Sequence, residues 1–276
     1  MESPMPDFSD RTLWRLILTV GMCGLEATFL NVKTHVCVPY LRRAWECPAP
    51  DVLENLEDAV YDDPLLPDDY NVSILISPRS TLLVPPESVD PEACPDIARV
   101  LDAVDASETK EVWTEPMGEA LALCSLPKGI RGFLNRTFPT EDVRHLMAPI
   151  VEHFAPVARS EGGEKMWAHL HEGGVDMAAW RDGRLLHAGT WACKPGADAA
   201  YYLLFAWRAL RLDSAQGELR VSGTELMRRE VMTMLRHHIN YVGLTVTDSA
   251  TAVALSRGVG LSQALVANKF SDVLKR

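Results

Sequence analysis

The chain has 276 residues, of which 47% are hydrophobic, and it carries a formal net charge of −11. That length fits about one to two domains, and the apolar content is sufficient for two cores, which excludes general disorder. We expect disorder only at Met1–Asp10 and in the last few residues. The acidic balance repels phosphate backbones and anionic lipid, which argues against a nucleic-acid partner and against a membrane surface.

The acidity is concentrated in the first half of the chain. Residues 1–160 carry 26 Asp and Glu against 13 Lys and Arg, whereas residues 161–276 carry 12 against 14. One short stretch holds eight carboxylates with no basic residue among them, and it is interpreted either as a solvated face or as a docking site for a basic protein partner. These carboxylates are Asp51, Glu54, Glu57, Asp58, Asp62, Asp63, Asp68 and Asp69.

Cysteine usage and hydropathy favour a cytoplasmic protein. The six cysteines form no Cys-x-x-Cys pair and no disulfide-dense pattern, so we expect buried free thiols in a reducing compartment. The apolar run Leu16–Leu25 is too short to span a bilayer, which needs about 20 residues, and Glu26 follows it without a small-residue cleavage site. We therefore interpret this run as a strand. The cysteines are Cys23, Cys37, Cys47, Cys94, Cys124 and Cys193.

In chain order, alternating apolar positions and turn residues predict strands and helices in the first half. The predicted strands are Leu13–Val20, Leu25–Val32, His35–Tyr40, Val72–Ile76, Ala120–Ser125 and Val143–Met147, and the predicted helices are Asp51–Val60, Pro91–Val104, Pro127–Thr137 and Pro149–Ala158.

The second half begins with a three-stranded meander. The dipeptides Gly173-Gly174 and Asp182-Gly183 are typical of tight hairpin turns. A helix over Ala199–Leu212 has apolar residues all round and is expected to be buried, with Asp198 as its N-cap. The predicted strands are Met166–His171, Val175–Trp180, Leu185–Trp191, Glu218–Val221 and Ile239–Val246, and a second helix has Met227, Val231, Met234 and His238 on one face.

This order of elements predicts a mixed α/β fold of two similar layers. Three antiparallel strands followed by helix, strand, helix and strand form a ribonuclease H-like layer, and both halves fit it. The polar run Ser160–Glu164 falls where a boundary is expected, so we predict one lobe over residues 1–160 and another over 161–276.

Three segments of the chain resemble an uncharacterised bacterial family, a domain of unknown function that belongs with the actin-like ATPases of the ribonuclease H-like superfamily. The resemblance implies two lobes that face a cleft, which in active relatives holds ATP and a magnesium ion. The segments are patterns of apolar positions and contain no catalytic signature. They are Tyr70–Pro85, Leu185–Asp213 and Gly217–Leu226.

The resemblance also implies that two strand–strand turns, each with Asp and glycines, hold phosphate. The first-lobe turn, Gly21–Gly24, keeps its glycines but has no Asp, which argues against ATPase chemistry because magnesium needs oxygen ligands. In the second lobe the turn is His171–Asp176, in which Gly173 and Gly174 supply the glycines and Glu172 could replace the Asp. A hairpin turn alone also explains both of these glycines.

The third implied turn, which holds adenosine in active relatives, corresponds to Ser222, Gly223 and Thr224. It lies between a predicted strand and a predicted helix, where backbone N–H groups can face an anion. The alternative is structural: Ser222 and Glu225 fit a capping box for the following helix, and both interpretations can hold together.

Other chemistry has less support from the sequence. His169 and His171 share a strand face beside Glu172, but two ligands do not make a metal site, and core or hydrogen-bonded histidines are the simpler interpretation; the same holds for His237 and His238. The sequence contains no nucleophile elbow, no P-loop and no dinucleotide fingerprint.

We therefore predict a non-hydrolysing protein-binding or scaffold module of actin-like fold, without a cofactor. Its residual nucleotide cleft would comprise Gly173, Gly174, Ser222, Gly223 and Thr224. The alternative is an active ATPase or sugar-kinase-like phosphotransferase, in which Glu172 and a first-lobe acid hold magnesium for ATP. A nuclease of the same superfamily would need clustered carboxylates for two metals, and the first-lobe strands show none.

Overall fold

The computed structural model describes residues 6–46, 51–67, 69–89, 99–101, 103, 110–138, 142–194 and 196–273. In chain order its elements are β1 (Trp14–Gly21), β2 (Gly24–Asn31), β3 (Cys37–Ala44), α1 (Val52–Tyr61), β4 (Asn71–Ile76), β5 (Ser80–Val84), a 3-10 turn (Pro86–Ser88), β6 (Lys110–Met117), β7 (Ala120–Pro127), α2 (Ile130–Thr137), β8 (Val143–His145), α3 (Ala148–Glu161), β9 (Glu164–His171), β10 (Gly174–Arg181), β11 (Arg184–Ala192), α4 (Ala197–Ala209), β12 (Glu218–Ser222), α5 (Glu225–Leu235), β13 (Tyr241–Leu244), α6 (Ser249–Ser256) and α7 (Leu261–Val273).

Two five-stranded sheets with the same topology form the centres of two lobes. The first sheet has the order β3-β2-β1-β4-β8, and the second has the order β11-β10-β9-β12-β13. In each sheet the first three strands are antiparallel and the last two join in parallel, as crossovers through helices require. The predicted pair of ribonuclease H-like layers is thereby confirmed.

A third, smaller sheet was missed by the sequence analysis. It has the order β5-β7-β6 and is antiparallel throughout. It belongs to the first lobe, because Trp113, Met117, Ala122 and Cys124 share the apolar core that also contains the inner residues of β1 and β2. The helix predicted at Pro91–Val104 lies largely outside the described residues, of which 99–101 are helical.

Helices α3 and α7 pack on each other between the two large sheets. Phe154 of α3 stacks on Trp167 of β9, with ring centroids 4.8 Å apart. On the other side, α7 joins a cluster with Ile17 and Leu75 of the first sheet, and the Arg15 guanidinium lies 3.6 Å from the centroid of the Phe270 ring. Helix α7 therefore packs on the first five-stranded sheet, which contains strands β1 and β4.

Several local expectations were wrong. Phe8 is 6% exposed in the first-lobe core, and its carbonyl accepts a hydrogen bond from Tyr70 Oη at 2.9 Å, so the disorder expected over Met1–Asp10 does not include Phe8; residues 1–5 lie outside the described residues. Helix α4 is buried on one face only: Trp207 is 1% exposed but Tyr201 is 62% exposed, because only one side of α4 packs on the second sheet.

The helix ends also differ from the prediction. Gly196 occupies the N-cap position of α4, and Asp198 lies inside the first turn without a capping bond. Thr224, and not Ser222, caps α5 by accepting from the Met227 N–H. Helix α5 ends at Leu235, which leaves His238 exposed beyond the apolar face to which it was assigned.

The four cysteines that the structure describes divide into two kinds, and the predictions for Cys47 and Cys94 fall outside the described residues. Cys37 and Cys124 are buried free thiols, as predicted, and burial raises their pKa values to about 11 and about 12, which leaves them unreactive. Cys193 is also free. The prediction is wrong for Cys23, which is disulfide-bonded; it lies half-buried in the turn between β1 and β2 and not inside a strand.

Candidate functional site

A cavity of about 810 Å³ lies between the two lobes. It is lined by the first-lobe turn at Gly21–Gly24, by the β9–β10 turn and by the β12–α5 turn, which are the three turns predicted from the sequence. Of the predicted site residues, Gly173, Gly223 and Thr224 line this cavity, and Gly174 and Ser222 lie behind its surface. A volume of this size lies within the range of small-molecule sites.

Two of the predicted glycines have structural reasons to be glycine. A Cβ atom on Gly174 would lie 2.1 Å from the Trp191 carbonyl oxygen, and one on Gly223 would lie 2.5 Å from that of Leu170. Gly223 also has φ +127°, which side-chain-bearing residues rarely adopt. The close approach of neighbouring strands therefore explains these glycines without a ligand, whereas Gly173 has ordinary spacing.

The first-lobe turn is held in place by Trp45, which follows β3. The Trp45 indole N–H donates to the Met22 carbonyl oxygen at 2.8 Å, and the Trp45 backbone N–H donates to that of Cys23 at 3.1 Å. No carboxylate lies within the turn itself. Its position at the cleft is therefore fixed, but it offers no acidic ligand to a cation.

Two acidic side chains at the cleft converge on one arginine. Arg42 on β3 contacts Glu26 on β2, with Nε 3.2 Å from Oε1, and its guanidinium also pairs with Glu172 in the β9–β10 turn. The second contact crosses from the first lobe to the second. Glu172, the acid that could replace the Asp of its turn, is therefore already paired with a cation.

A third acid, Asp176, lies in the β10 side of the cleft and is only 5% exposed. It accepts a hydrogen bond from Thr190 Oγ1 at 2.7 Å, and its Oδ1 lies 3.5 Å from His171 Nε2. Burial raises the pKa of Asp176, but the His171 charge and these contacts outweigh it and lower the pKa overall. The same pairing overcomes burial at His171 and raises the pKa of that imidazole.

His169 is held in one neutral tautomer by a chain of hydrogen bonds. The Leu261 backbone N–H donates to His169 Nε2 at 3.3 Å, so Nδ1 carries the proton and donates to Ser222 Oγ at 3.0 Å. Ser222 in turn donates to the Ala168 carbonyl oxygen. Burial lowers the pKa of His169 to about 4, which keeps the ring neutral near pH 7.

The Ser222 hydroxyl therefore makes its hydrogen bonds within the protein. These bonds were not predicted from the sequence. The register of Ser222 beside His169 on the neighbouring parallel strand brings the hydroxyl and imidazole together. The rings of His169 and His171 lie on the same strand face as predicted, with centroids 6.1 Å apart.

The N-terminus of α7 ties the two lobes together at the cleft. Gln263 donates to Thr19 Oγ1 at 2.8 Å and accepts from Thr28 Oγ1 at 3.0 Å, so it binds both central strands of the first lobe. Two residues earlier, the Leu261 backbone N–H donates a hydrogen bond to His169 of the second lobe. The only indication of this helix in the sequence is a polar residue, Gln263, within an apolar run.

The cleft acids do not form a metal cluster. Across the part of the chain that the structure describes, no group of three or more His, Cys, Asp or Glu side chains could hold a metal ion. Of the pair singled out in the sequence as a fragment of a metal site, His169 uses both ring nitrogens in hydrogen bonds within the protein, and His171 Nε2 lies 3.5 Å from Asp176 Oδ1. Nor is any helix of the described segments long and apolar enough to span a bilayer.

Two sheets of one topology facing a cleft define an actin-like ATPase fold, and comparison with solved structures agrees. A protein of actin-like ATPase fold and unknown function from Bacteroides thetaiotaomicron superposes with a TM-score of 0.73 at 19% identity, over 96% of this chain and 99% of that one. At that identity the likeness establishes the fold alone.

The chain belongs to the family described as "Protein of unknown function (DUF3822)", whose model matches residues 7–242. The family resemblance recognised in the sequence is confirmed. No curated protein sequence matches the chain.

Two further solved structures match the chain at lower similarity. The PilM–PilN type IV pilus biogenesis complex gives a TM-score of 0.48 at 10% identity over 93% of this chain and 98% of that one. Lmo2764 from Listeria monocytogenes, a putative N-acetylmannosamine kinase, gives 0.37 at 10% identity over 93% and 99%. Similarity at this level carries no information about shared activity.

Proposed function

We propose that this protein is a binding module of actin-like fold that holds a small ligand between its lobes, presents a docking surface to a protein partner, and does not hydrolyse ATP. The cytoplasm is its proposed compartment, although the disulfide at Cys23 removes the support that cysteine usage gave to a reducing environment. No metal cofactor is part of the proposal.

The pairing of the cleft carboxylates carries the proposal. Glu26 and Glu172 share Arg42, and Asp176 is engaged by His171 and Thr190. Magnesium requires oxygen ligands in octahedral geometry, and a magnesium ion would have to displace these cations to reach them. The cavity therefore suits a ligand that needs no divalent ion.

The alternative is an active ATPase or phosphotransferase, and one observation favours it. The hypothesis needed an acid in the first lobe as well as Glu172, and Glu26 lies at the cleft opposite Glu172. If Arg42 swung away, the two carboxylates would face one another across the cleft. The two functions therefore differ in whether Arg42 stays between these acids.

Thermal unfolding with ATP, with and without magnesium, distinguishes the two functions. A ligand at about 100 times its dissociation constant adds about 2.7 kcal/mol to stability, so a magnesium-dependent complex is easily visible. We expect magnesium to add nothing to any effect of ATP alone. Additional stabilisation by magnesium that disappears in Glu26→Gln or Glu172→Gln would overturn the proposal.

A further inference from the structure

The N-terminus of α7 has a feature that neither the fold nor the interlobe contacts explain. Ser262 is 2% exposed and lines the cavity, and its Oγ has no hydrogen-bond partner among the described residues. A buried hydroxyl without a partner costs about 1–3 kcal/mol, and native structures rarely leave one so. An unpaired hydroxyl facing a cavity points to a missing ligand atom.

The surroundings of Ser262 favour an anionic ligand. Helix α7 runs for 13 residues, and the first N–H groups of a helix lack intrahelical partners and attract negative charge. Of these groups, that of Leu261 is used by His169, and those of Ser262 and Gln263 belong to the first helical turn, whose N–H groups have no intrahelical acceptor. The hydroxyl and these N–H groups therefore offer several donors at one place.

A second imidazole lies near this helix end. His171 is stacked beside His169, with ring centroids 6.1 Å apart, and His169 contacts the first residue of α7. The carboxylate of Asp176 lines the same cavity, and it contacts His171 at 3.5 Å and accepts a hydrogen bond from the Thr190 hydroxyl. Arg42 and Arg79 also line the cavity.

We propose that Ser262, the N-terminal turn of α7 and His171 form a binding subsite for the phosphate or carboxylate group of a small molecule. Ser262 and α7 lie outside the two strand–strand turns, and His171 is the last residue of the strand that leads into the second of them. It rests on the proposed function, because it specifies the chemistry of the ligand that the cleft holds. Apolar residues of the same cavity, among them Met22, Trp45 and Leu170, would contact the rest of that molecule.

Isothermal titration with inorganic phosphate, and separately with acetate, tests the subsite in the full-length protein. We expect the native protein to bind at least one of the two anions saturably. The anion with the higher affinity identifies whether the subsite accepts a phosphate or a carboxylate group. Ser262→Ala removes no hydrogen bond of the unliganded protein, so a loss of affinity reports contact with the anion. The expected loss is about tenfold or more, as for a hydrogen bond to a charged group.

Two further variants secure the interpretation. Ser160→Ala removes an exposed serine hydroxyl that bonds the Val157 carbonyl oxygen far from the cleft, and it should bind phosphate as the native protein does. His171→Gln removes the imidazole and should also weaken binding. Equal affinity in all four proteins, or no binding of either anion by the native protein, would overturn the subsite.

The result of the anion titration does not depend on whether the protein hydrolyses ATP. Turnover of ATP would contradict the proposed function and leave an anion subsite at Ser262 intact. Loss of the subsite would in turn leave the paired carboxylates and the absence of hydrolysis unaffected.

Discussion

At the residue scale, the buried histidines give the fold a dependence on pH. His169 accepts from Leu261 N–H and so must be neutral in the folded protein. Its pKa is lowered by burial to about 4, against an ordinary value of 6.5. His145 behaves alike: burial lowers its pKa to about 3, and its Nδ1 accepts the Met147 N–H at 2.9 Å.

The sign of the pH effect follows from proton binding. Between about pH 6.5 and pH 4 the unfolded chain protonates His169 and the folded chain does not, so the free energy of unfolding falls as pH decreases through this range. At about 1.4 kcal/mol for each pKa unit, the loss is on the order of 1–3 kcal/mol. Urea denaturation at a series of pH values measures it.

Two histidine variants test whether His169 causes this pH dependence of stability. His169→Gln should flatten the dependence between pH 6.5 and 4, whereas His238→Gln, at an exposed position, should leave it unchanged. An unaltered slope in His169→Gln would mean that the ring titrates freely and that the hydrogen-bond chain through Ser222 is wrong.

The second residue-scale prediction concerns Gly223. Gly223→Ala places a Cβ 2.5 Å from the Leu170 carbonyl oxygen at φ +127°, and such strain costs about 1–3 kcal/mol. Gly243→Ala is the matched control, since its Cβ meets nothing within 4 Å, and it should change stability by less than about 0.5 kcal/mol. Comparable unfolding midpoints for the two variants would show that the turn yields without strain.

At the element scale, regular patterns in the sequence were sufficient for the strands and helices of both layers. Alternation located β9, β10 and β11 to within two residues at either end, because each of these strands ends at a turn with Gly or Asp-Gly. The strands β5 and β6 were missed. In β6, Pro116 and exposed positions such as Thr114 interrupt the alternation, which suits a strand at the edge of a sheet.

Helices α6 and α7 were also missed, for a different reason. Their residues include Thr251 and Gln263, polar groups that are buried. Thr251 Oγ1 donates to Asp248, the N-cap of its own helix, and Gln263 donates to Thr19 of the first lobe, so hydropathy alone suggested no amphipathic face. The contacts that position Ser262 and Arg42 at the cleft are likewise long-range. The sequence pattern predicted the three turns, but it could not reveal which acids are paired.

The described carboxylates of the acidic stretch differ in role: some hold the local fold and others are exposed. Asp51 caps α1 by accepting the Glu54 N–H at 3.0 Å. Asp63 is 8% exposed and accepts from Tyr40 Oη and from the N–H groups of Leu65 and Leu66, so it holds the local fold. Asp68 lies outside the described residues, and Asp58, Asp62 and Asp69 are exposed.

The exposed members test the docking hypothesis. Changing Asp58, Asp62 and Asp69 to Asn should weaken capture of a basic partner from cell extract, and raising the salt concentration should weaken native capture as well, because exposed charges are screened beyond about 8–10 Å. The matched control changes Asp198 to Asn and Glu225 and Glu230 to Gln, which removes as many exposed acids from the second lobe. Identical partner sets for all three proteins would contradict a docking role.

At the scale of the whole molecule, two sheets of one topology enclose a cleft whose parts are held by contacts between lobes. Helix α7 bonds the first lobe through Gln263 and the second through His169, and Arg42 joins the lobes at the β9–β10 turn. The fold thus preserves the cleft of its class, while its cleft carboxylates are engaged by cations of the same chain.

The most direct test of this account is phosphate release from ATP in the presence of magnesium. We expect none above a protein-free blank from the native protein, because Glu26 and Glu172 are held by Arg42 and the turn at Gly21–Gly24 has no carboxylate. The contrary result would be steady turnover by the native protein that is abolished by Glu172→Ala and is unaffected by Asp198→Ala.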